Sequence, residues 1–179
     1  MKLQLLLVDR DGVILEHIEP YILSKKDVQF IYGSIDALRI ISENNIKIAV
    51  ISNQSPINRN LINDSFVNET NKFIKDSLNL TDDEIKFYYC PHTSEDKCKC
   101  RKPNIGMLQQ ACTDFGIHPS NIWIVGDHDT DMIAGVNFNI INRIHLLSGR
   151  QKNKSVYATD VCRNLFDFVI KYRRLIKSK

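Results

Sequence analysis

Short apolar runs rich in β-branched residues alternate along the chain with segments whose apolar residues recur at helical spacing. Five runs are predicted strands, at residues 4–8, 45–51, 85–89, 122–125 and 140–146. The other segments are predicted helices, at residues 34–43, 60–78, 106–115, 130–136 and about 164–176. This alternation is typical of a parallel sheet covered by helices on both faces. Because the chain has 179 residues and no large insertion after the second strand, we predict a single α/β domain, residues 1–179, without a large cap domain.

Two helix boundaries carry local signals. Ser34 is the predicted N-cap of the first helix, because a serine side chain there accepts a hydrogen bond from an unpaired backbone N–H group. Gly116 is predicted to end the helix at 106–115, because glycine adopts the left-handed conformation without steric cost.

Polar and charged residues stand where four of the predicted strands end. Ligands in open parallel sheets bind beyond the carboxyl ends of the strands, so these residues are expected to surround one site. They are Asp9, Arg10 and Asp11 after the first strand, Ser52, Asn53, Gln54 and Ser55 after the second, Arg101 and Lys102 beyond the third, and Asp127, His128 and Asp131 after the fourth. Each group alone has an ordinary explanation as a turn or a helix cap, but four coincident placements favour a functional site.

The chemistry of these residues suits phosphoryl transfer. Several carboxylates together hold a hard cation such as Mg²⁺, and a hydroxyl with arginine and lysine side chains holds a phosphoryl group. A carboxylate can attack phosphorus to form an aspartyl-phosphate when a metal and cations neutralise the charge that otherwise repels it. The strand ends therefore predict a Mg²⁺-dependent reaction at a phosphoryl group.

A second cluster consists of Cys90, His92, Cys98 and Cys100. Three thiolates and an imidazole form the soft, tetrahedral ligand set of a structural Zn²⁺ site, which we favour over a chance cluster or a disulfide pair. The Cys-x₂-Cys spacing of nucleic-acid-binding fingers is absent, so that class fits poorly. Retained thiols also favour a reducing compartment, and the protein is expected to be cytoplasmic.

Charge and hydropathy argue against other classes. The net charge is +3, and much of it lies in the basic runs 171–174 and 177–179, which are more typical of a solvated helix end than of a nucleic-acid surface. No apolar run approaches the roughly 18–20 residues of a membrane span. The apolar N-terminus runs directly into Asp9 without a small-residue cleavage site, so a buried strand fits better than a signal peptide.

The motifs resemble those of the haloacid dehalogenase (HAD) phosphohydrolases. The four HAD motifs are matched in chain order by Asp9-x-Asp11-Gly12-Val13, by Ser52, by Lys102 and by Gly126-Asp127-x-x-x-Asp131. Within the family, the stretches 52–55, 89–92 and 98–107 resemble the branch that contains heptose-bisphosphate phosphatases and histidinol-phosphatases. The resemblance covers roughly residues 5–145 and implies a Rossmann-like HAD core with a zinc-binding loop.

The resemblance implies catalytic roles for five residues. Asp9 would be the nucleophile. Asp11 would be the general acid that protonates the leaving oxygen and then the base that activates water. Ser52 and Lys102 would hold the transferring phosphoryl group, with Arg101 beside them.

Metal and substrate contacts follow from the same resemblance. Mg²⁺ would be bound by Asp9, the main-chain carbonyl of Asp11, Asp127 and, in support, Asp131. Zinc on the Cys/His cluster would brace the loop that presents the two basic residues. The substrate would be contacted by Arg10, Asn53, Gln54, Ser55, Arg59, Arg101, Lys102 and His128.

The chain also departs from the branch pattern. Val13 stands where many members have threonine, and His128 stands where the heptose enzymes commonly have lysine. The segment 56–60 lacks a glycine-rich pattern but retains Arg59, which is either a second phosphate-binding residue or a surface charge at a helix end. The spacer between His92 and Cys98 is closer in length to that of histidinol-phosphatase.

The expected substrate is a small phosphorylated sugar, heptose 1,7-bisphosphate, which would lose one phosphate in a surface-polysaccharide precursor pathway. Three cations, Arg59, Arg101 and Lys102, favour a bisphosphate, whereas histidinol phosphate would favour acids such as Glu16 or Glu19 on the rim loop 15–26. Histidinol phosphate or another phosphorylated metabolite therefore remains an alternative. A catalytically silent HAD-fold binding protein and a zinc-dependent nucleic-acid module are disfavoured, because both motif-one aspartates are present and the net charge is small. Neither nucleic acid nor membrane is an expected partner.

Overall fold

Six parallel strands form one sheet in the computed structural model, which describes residues 3–177. They are β1 (Leu5–Val8), β2 (Lys47–Asn53), β3 (Ile85–Cys90), β4 (Ile122–Gly126), β5 (Asn142–Leu146) and β6 (Asp160–Cys162). Their order across the sheet is β3-β2-β1-β4-β5-β6. The direction of sheet growth reverses between β1 and β4, which is the switch point at which ligands bind in such sheets.

Helices cover both faces of the sheet, which confirms the predicted α/β architecture. They are α1 (Ser34–Glu43), α2 (Asp64–Leu78), α3 (Gly106–Phe115), α4 (Asp129–Asn137), α5 (Leu165–Lys171) and α6 (Arg173–Ile176). Leu6 and Val8 of β1 pack with α1, α2 and α5, whereas Leu5 and Leu7 point to the opposite face and pack with α3 and α4. All four side chains are fully buried, and each burial contributes about 1.5–3 kcal/mol.

The two predicted helix boundary signals have different outcomes. Gly116 ends α3 in the left-handed conformation with φ 63°, as predicted. The prediction that Ser34 caps α1 is wrong, because Gly33 is the N-cap and Ser34 is the first helical residue. The Ser34 hydroxyl instead donates to the carbonyl oxygen of Ile14 at 2.9 Å, which anchors α1 to the loop after β1.

The C-terminal part differs from the prediction. β6 was not predicted, and the predicted helix at 164–176 is divided at Tyr172 into α5 and α6. Asp160 of β6 accepts hydrogen bonds from Lys171 and from the Tyr172 hydroxyl. Burial raises the pKa of Asp160, but these bonds outweigh that effect and lower the pKa to about 2. Lys177 ends the described chain, so residues 178–179 of the predicted basic run lie outside it.

The connections around the sheet are short. The segment after β2, residues 54–63, is too short for a cap domain, and Asn63 caps α2 by accepting from the backbone N–H of Phe66. The segment after β1, residues 9–33, contains a short 3₁₀ turn at Lys25–Asp27 and isolated β-bridges that pair Leu15 with Asp11 and with Phe30. Within residues 3–177, no helix is both long and apolar enough to cross a membrane.

Candidate active site and thiol cluster

A cavity of about 230 Å³ opens at the carboxyl ends of the central strands. Most of the predicted strand-end residues line it together, namely Asp9, Asp11, Ser52, Asn53, Gln54, Ser55, Arg101, Lys102, Asp127 and His128. Three predicted site residues are not among the described residues that line it. Asp131 is buried behind Lys102, Arg10 is buried beside Asp11, and Arg59 is exposed on the turn after β2.

Lys102 is the buried cation at the base of the cavity. Its ammonium lies 2.9 Å from Asp9 and 2.6 Å from Asp131, and it also donates to the carbonyl oxygen of Ile51 at 2.7 Å. Burial lowers the pKa of Lys102, but the charges of Asp131 and Asp9 outweigh that effect and raise it. Lys102 is therefore charged and held rigidly at neutral pH.

Three carboxylates, Asp9, Asp127 and Asp131, could hold a metal ion. One oxygen of each lies within 4.8 Å of the others. Burial and then the charge of Asp131 raise the pKa of Asp9 to about 7, and burial and then the charge of Asp9 raise that of Asp127 to about 6. Burial also raises the pKa of Asp131. Such a cluster needs a cation, and its hard oxygen donors fit Mg²⁺.

Backbone packing explains why Asp127 has a fixed position. A Cβ atom on Gly12 would lie 2.4 Å from Oδ2 of Asp127, and one on Gly149 would lie 2.0 Å from it, so both positions require glycine. The backbone N–H of Arg150 donates to the same oxygen at 2.6 Å. The Ser148 hydroxyl donates to the carbonyl oxygen of Gly12 at 2.7 Å, which ties the segment after β5 to the turn after β1.

His145, for which the sequence predicted no role, holds the main chain of Asp127 in place. It is fully buried, and its Nε2 lies 3.0 Å from the carbonyl oxygen of Asp127. Its Nδ1 accepts from the backbone N–H of Ser155 at 3.2 Å, so the proton belongs on Nε2, which donates to Asp127. His145 and the segment 147–151 thus bring the end of a fifth strand, β5, to the site. The sequence interpretation missed this contribution. The strand-end rule applied to the strand predicted at 140–146 would have indicated it.

Asp11 is oriented by two neighbours. Nε and Nη2 of Arg10 donate to its two carboxylate oxygens at 2.8 and 3.0 Å, and Gln54 donates to Oδ2 at 2.9 Å. Burial raises the pKa of Asp11, but the charge of Arg10 and its hydrogen bonds outweigh that effect and lower the pKa. Gln54 also donates to the hydroxyl of Ser52 at 2.6 Å, so it links the first and second strand ends.

The four predicted zinc ligands converge on one point. The sulfur atoms of Cys90, Cys98 and Cys100 lie 3.2–3.5 Å from one another, and Nδ1 of His92 lies 3.5 Å from Cys90 and 3.3 Å from Cys100. These separations are far longer than an S–S bond of about 2.05 Å and close to the edge of a zinc–thiolate tetrahedron. Donor chemistry and spacing therefore fit Zn²⁺, and all three cysteines are free.

The thiol cluster is connected directly to the cavity. The backbone N–H of Arg101 donates to Sγ of Cys98 at 3.4 Å, and its guanidinium donates to the carbonyl oxygen of His92 at 3.0 Å. The side chain of Asn53 accepts from the backbone N–H of Lys102 and donates to its carbonyl oxygen, both at 3.0 Å. The cluster and the end of β2 together position the two basic residues.

Comparisons with known proteins agree with this geometry. The HAD-hydrolase-like family matches residues 99–167. The D-glycero-β-D-manno-heptose-1,7-bisphosphate 7-phosphatase of Helicobacter pylori strain J99 is 30% identical over 92% of this chain and 94% of its own length. The enzyme of the same name from Pseudomonas aeruginosa is 35% identical over 75% of this chain and 76% of its own. The crystal structure of D,D-heptose 1,7-bisphosphate phosphatase from B. bronchiseptica, complexed with magnesium and phosphate, superposes with a TM-score of 0.84 at 20% identity and covers 96% of this chain and 99% of that one.

The parallel sheet, the paired aspartates at the end of β1 and the buried lysine opposite them define a phosphoric monoester hydrolase of the HAD type. Identity with the Helicobacter relative extends over nearly the whole of both chains. The chain belongs to the family of the D-glycero-D-manno-heptose-1,7-bisphosphate 7-phosphatases.

Proposed function

We propose that the protein is a Mg²⁺-dependent phosphatase that removes the 7-phosphate from D-glycero-D-manno-heptose 1,7-bisphosphate through an aspartyl-phosphate on Asp9. The observation that carries the mechanism is the Asp9–Lys102 pair, 2.9 Å apart at the cavity where the sheet order reverses. The names of the relatives support the substrate and the position of the phosphate that is removed.

Asp9, Asp127 and the main-chain carbonyl of Asp11 are the proposed Mg²⁺ ligands, with Asp131 in support. The raised pKa values of Asp9 and Asp127 support this assignment, because two buried carboxylates close together bind a cation strongly. The magnesium and phosphate bound in the similar structure from B. bronchiseptica are a further support. When bound, Mg²⁺ neutralises the phosphoryl oxygens and so permits attack by an anion.

The reaction proceeds in two steps. In the first, a carboxylate oxygen of Asp9 attacks phosphorus, the bond from phosphorus to the sugar oxygen breaks, and Asp11 gives a proton to that oxygen. In the second, water attacks phosphorus and gives a proton to Asp11, and the bond between phosphorus and the Asp9 oxygen breaks, so the carboxylate of Asp9 is restored and inorganic phosphate leaves. Ser52, Lys102 and Arg101 hold the phosphoryl oxygens during both steps.

Asp11 must change partners during this cycle. Against Arg10 and Gln54 its carboxylate is charged, which suits the base of the second step. Protonating the leaving oxygen requires a neutral carboxyl, so Asp11 must move away from Arg10 and take up a proton before the first step. Arg10 is therefore proposed to control Asp11 rather than to contact the sugar.

The Cys/His cluster is proposed to bind one structural Zn²⁺. Because Arg101 is bonded to both Cys98 and His92, the metal would hold the phosphate-binding loop rather than take part in the chemistry. Burial raises the pKa of Cys98, but the hydrogen bond from the backbone of Arg101 and those with the neighbouring thiols outweigh that effect and lower the pKa to about 7, which favours a thiolate ligand. Free thiols support a reducing, cytoplasmic location.

Cys100→Ser is expected to reduce the bound zinc from one ion per chain to a small fraction. The loss of the closed site would cost about 2–3 kcal/mol of stability and lower Tm on the order of 5–10 °C. KM should rise because the loop that carries Arg101 loosens, while Asp9 remains able to form the phosphoenzyme. Elemental analysis, thermal melting and steady-state kinetics measure these effects. Cys112→Ser, at a half-buried thiol on α3 outside the cluster, is the control. Zinc-free wild-type protein would rule out the site.

The substrate proposal is tested by measuring phosphate release from heptose 1,7-bisphosphate, other sugar phosphates and histidinol phosphate side by side. We expect the highest kcat/KM for the heptose bisphosphate, because the cavity presents Arg101, Lys102 and Arg150 to an anion. A kcat/KM for histidinol phosphate about tenfold above every sugar phosphate, or about 1.4 kcal/mol of transition-state preference, would reverse the assignment. Absence of hydrolysis of any phosphomonoester would instead indicate a silent binding protein.

A further inference from the structure

Arg150 is a cation at the mouth of the cavity that the catalytic steps above do not use. It follows Gly149 in the segment after β5 and lines the same cavity as Asp9. Its backbone is fixed by the 2.6 Å hydrogen bond to Asp127, but its side chain is 61% exposed. A rigid backbone thus carries a guanidinium that faces the solvent entrance.

The nearest acidic partner of this guanidinium is Glu19, on the rim loop after β1. Nε of Arg150 lies 3.7 Å from Oε1 of Glu19, which is beyond hydrogen-bond distance. The same oxygen lies 2.9 Å from Nε2 of His17, which also lines the cavity. The hydrogen bond from His17, together with the charges of His17 and Arg150, lowers the pKa of Glu19. A carboxylate therefore occupies the space between two N–H donors, where an external anion would bind.

Other basic residues at the site have stronger attachments. Lys102 is bonded to Asp9 and Asp131, and Arg101 donates to the carbonyl oxygen of His92. Nδ1 of His128 accepts a hydrogen bond from the backbone N–H of Thr130 at 3.3 Å. Arg59, a predicted second phosphate-binding residue, is exposed and is not among the described residues that line the cavity. Arg150 is the cation best placed to receive an anion at the mouth.

We infer that Arg150 and His17 form a second anion subsite, and that the Glu19 carboxylate occupies it until substrate binds. The inference rests on the proposed function, because the anion is the phosphate of the sugar bisphosphate that is not hydrolysed. A phosphate carries more charge than a carboxylate and matches the two N–H groups on one edge of a guanidinium, so it displaces Glu19 from Arg150. A monophosphate leaves Glu19 in place and gains nothing from the subsite.

The test compares heptose 1,7-bisphosphate with heptose 7-phosphate, which lacks the distal phosphate. Arg150→Gln is expected to raise KM for the bisphosphate about tenfold or more and to change KM for the monophosphate less than about twofold, with kcat within about threefold for both. Arg150→Lys should recover part of the loss. Glu19→Gln should lower KM for the bisphosphate alone, because the competing charge is removed. Lys154→Gln, which removes one exposed positive charge from the same segment outside the cavity, should leave both substrates unchanged.

The outcomes distinguish failure of the proposed anion subsite from failure of the assignment of heptose bisphosphate as the substrate. If Arg150→Gln retains the wild-type preference for the bisphosphate, Arg150 does not form the second anion subsite. Loss of that preference in Arg59→Gln would then place the subsite at the turn after β2. An unchanged KM in Glu19→Gln would refute displacement of the carboxylate. If the wild type prefers fructose 1,6-bisphosphate to the heptose compound and Arg150→Gln abolishes that preference, the subsite stands and the heptose assignment fails. A wild type that does not distinguish bisphosphates from monophosphates refutes both.

Discussion

Replacing Asp9 by asparagine is expected to lower kcat by about 10⁴-fold or more, because the amide cannot attack phosphorus. The carboxylate lies 2.9 Å from Lys102, so the substitution removes the nucleophile from a site whose other groups are retained. Phosphate release from heptose bisphosphate measures the turnover, and rapid quenching measures the phosphoenzyme. Both signals should be absent in Asp9→Asn.

Loss of a metal ligand would also reduce activity, so Asp127→Asn is the matched control. Both variants remove a proposed Mg²⁺ ligand, but only Asp9→Asn removes the nucleophile. Activity of Asp127→Asn should recover in part as the Mg²⁺ concentration is raised, because weaker binding is overcome by mass action. Recovery of Asp9→Asn to a similar extent would contradict covalent catalysis at this residue.

Asp9→Asn is not expected to unfold the protein. Burial and the charge of Asp131 raise the pKa of Asp9 from 3.8 to about 7, so the folded state binds this proton more tightly than the unfolded chain does. The charge of Asp9 therefore opposes folding, increasingly as the pH rises from 3.8 to about 7, and fully above that. Without Mg²⁺ at pH 8, the variant should melt at or above the temperature of the wild type. A clear fall in Tm would show that lost activity reflects lost structure.

Asp11→Asn is expected to slow phosphorylation of the enzyme and to block hydrolysis of the phosphoenzyme. Without a general acid, phosphorylation of Asp9 should slow about 10²–10⁴-fold, and without a base, hydrolysis of the aspartyl-phosphate should stall. The variant should therefore accumulate phosphoenzyme in the presence of Mg²⁺ and release little phosphate. The asparagine oxygen can take the place of Oδ2 and accept from Nη2 of Arg10 and from Gln54, at the loss of the bond from Nε of Arg10. The geometry around Gln54 and Ser52 should therefore be preserved.

Gln54→Ala is an informative comparison for this result. It removes the donor to Asp11 and Ser52 but leaves both Asp9 and Asp11 in place. We expect turnover to fall by less than in Asp11→Asn, with no accumulated phosphoenzyme, because the base remains. If Asp11→Asn turns over at the wild-type rate, another residue is the acid and base.

The sequence predicted the helices and strands that a local residue pattern determines. It missed the features that depend on contacts with distant segments of the chain. α1 and α3 have the predicted bounds, because their apolar residues repeat at helical spacing over ten residues each. β6 has only three residues and begins with Asp160, and it becomes a strand through pairing with β5. The division of the last helix at Tyr172 likewise accompanies a contact with Asp160, a distant residue that the helical pattern does not reveal.

The same distinction holds at the site. Strand-end placement was sufficient to bring Asp9, Ser52, Lys102 and Asp127 together, because parallel strands end on one edge of the sheet. The position of Arg150 depends on how closely Gly149 approaches Asp127, which is a property of packed loops rather than of spacing. Arg10 could be recognised from the sequence as a charge beside the site, but its burial against Asp11 could not.

Trapping the phosphoenzyme of Asp11→Asn is the decisive experiment for covalent catalysis by Asp9. The variant is mixed with Mg²⁺ and heptose 1,7-bisphosphate, quenched in acid, digested and examined by mass spectrometry. Covalent catalysis should yield one phosphoryl group per chain, carried by Asp9 and absent from the Asp9→Asn, Asp11→Asn double variant. A phosphoryl group on any other residue, or single-turnover phosphate release by Asp11→Asn without any phosphorylated peptide, would show that Asp9 is not the nucleophile.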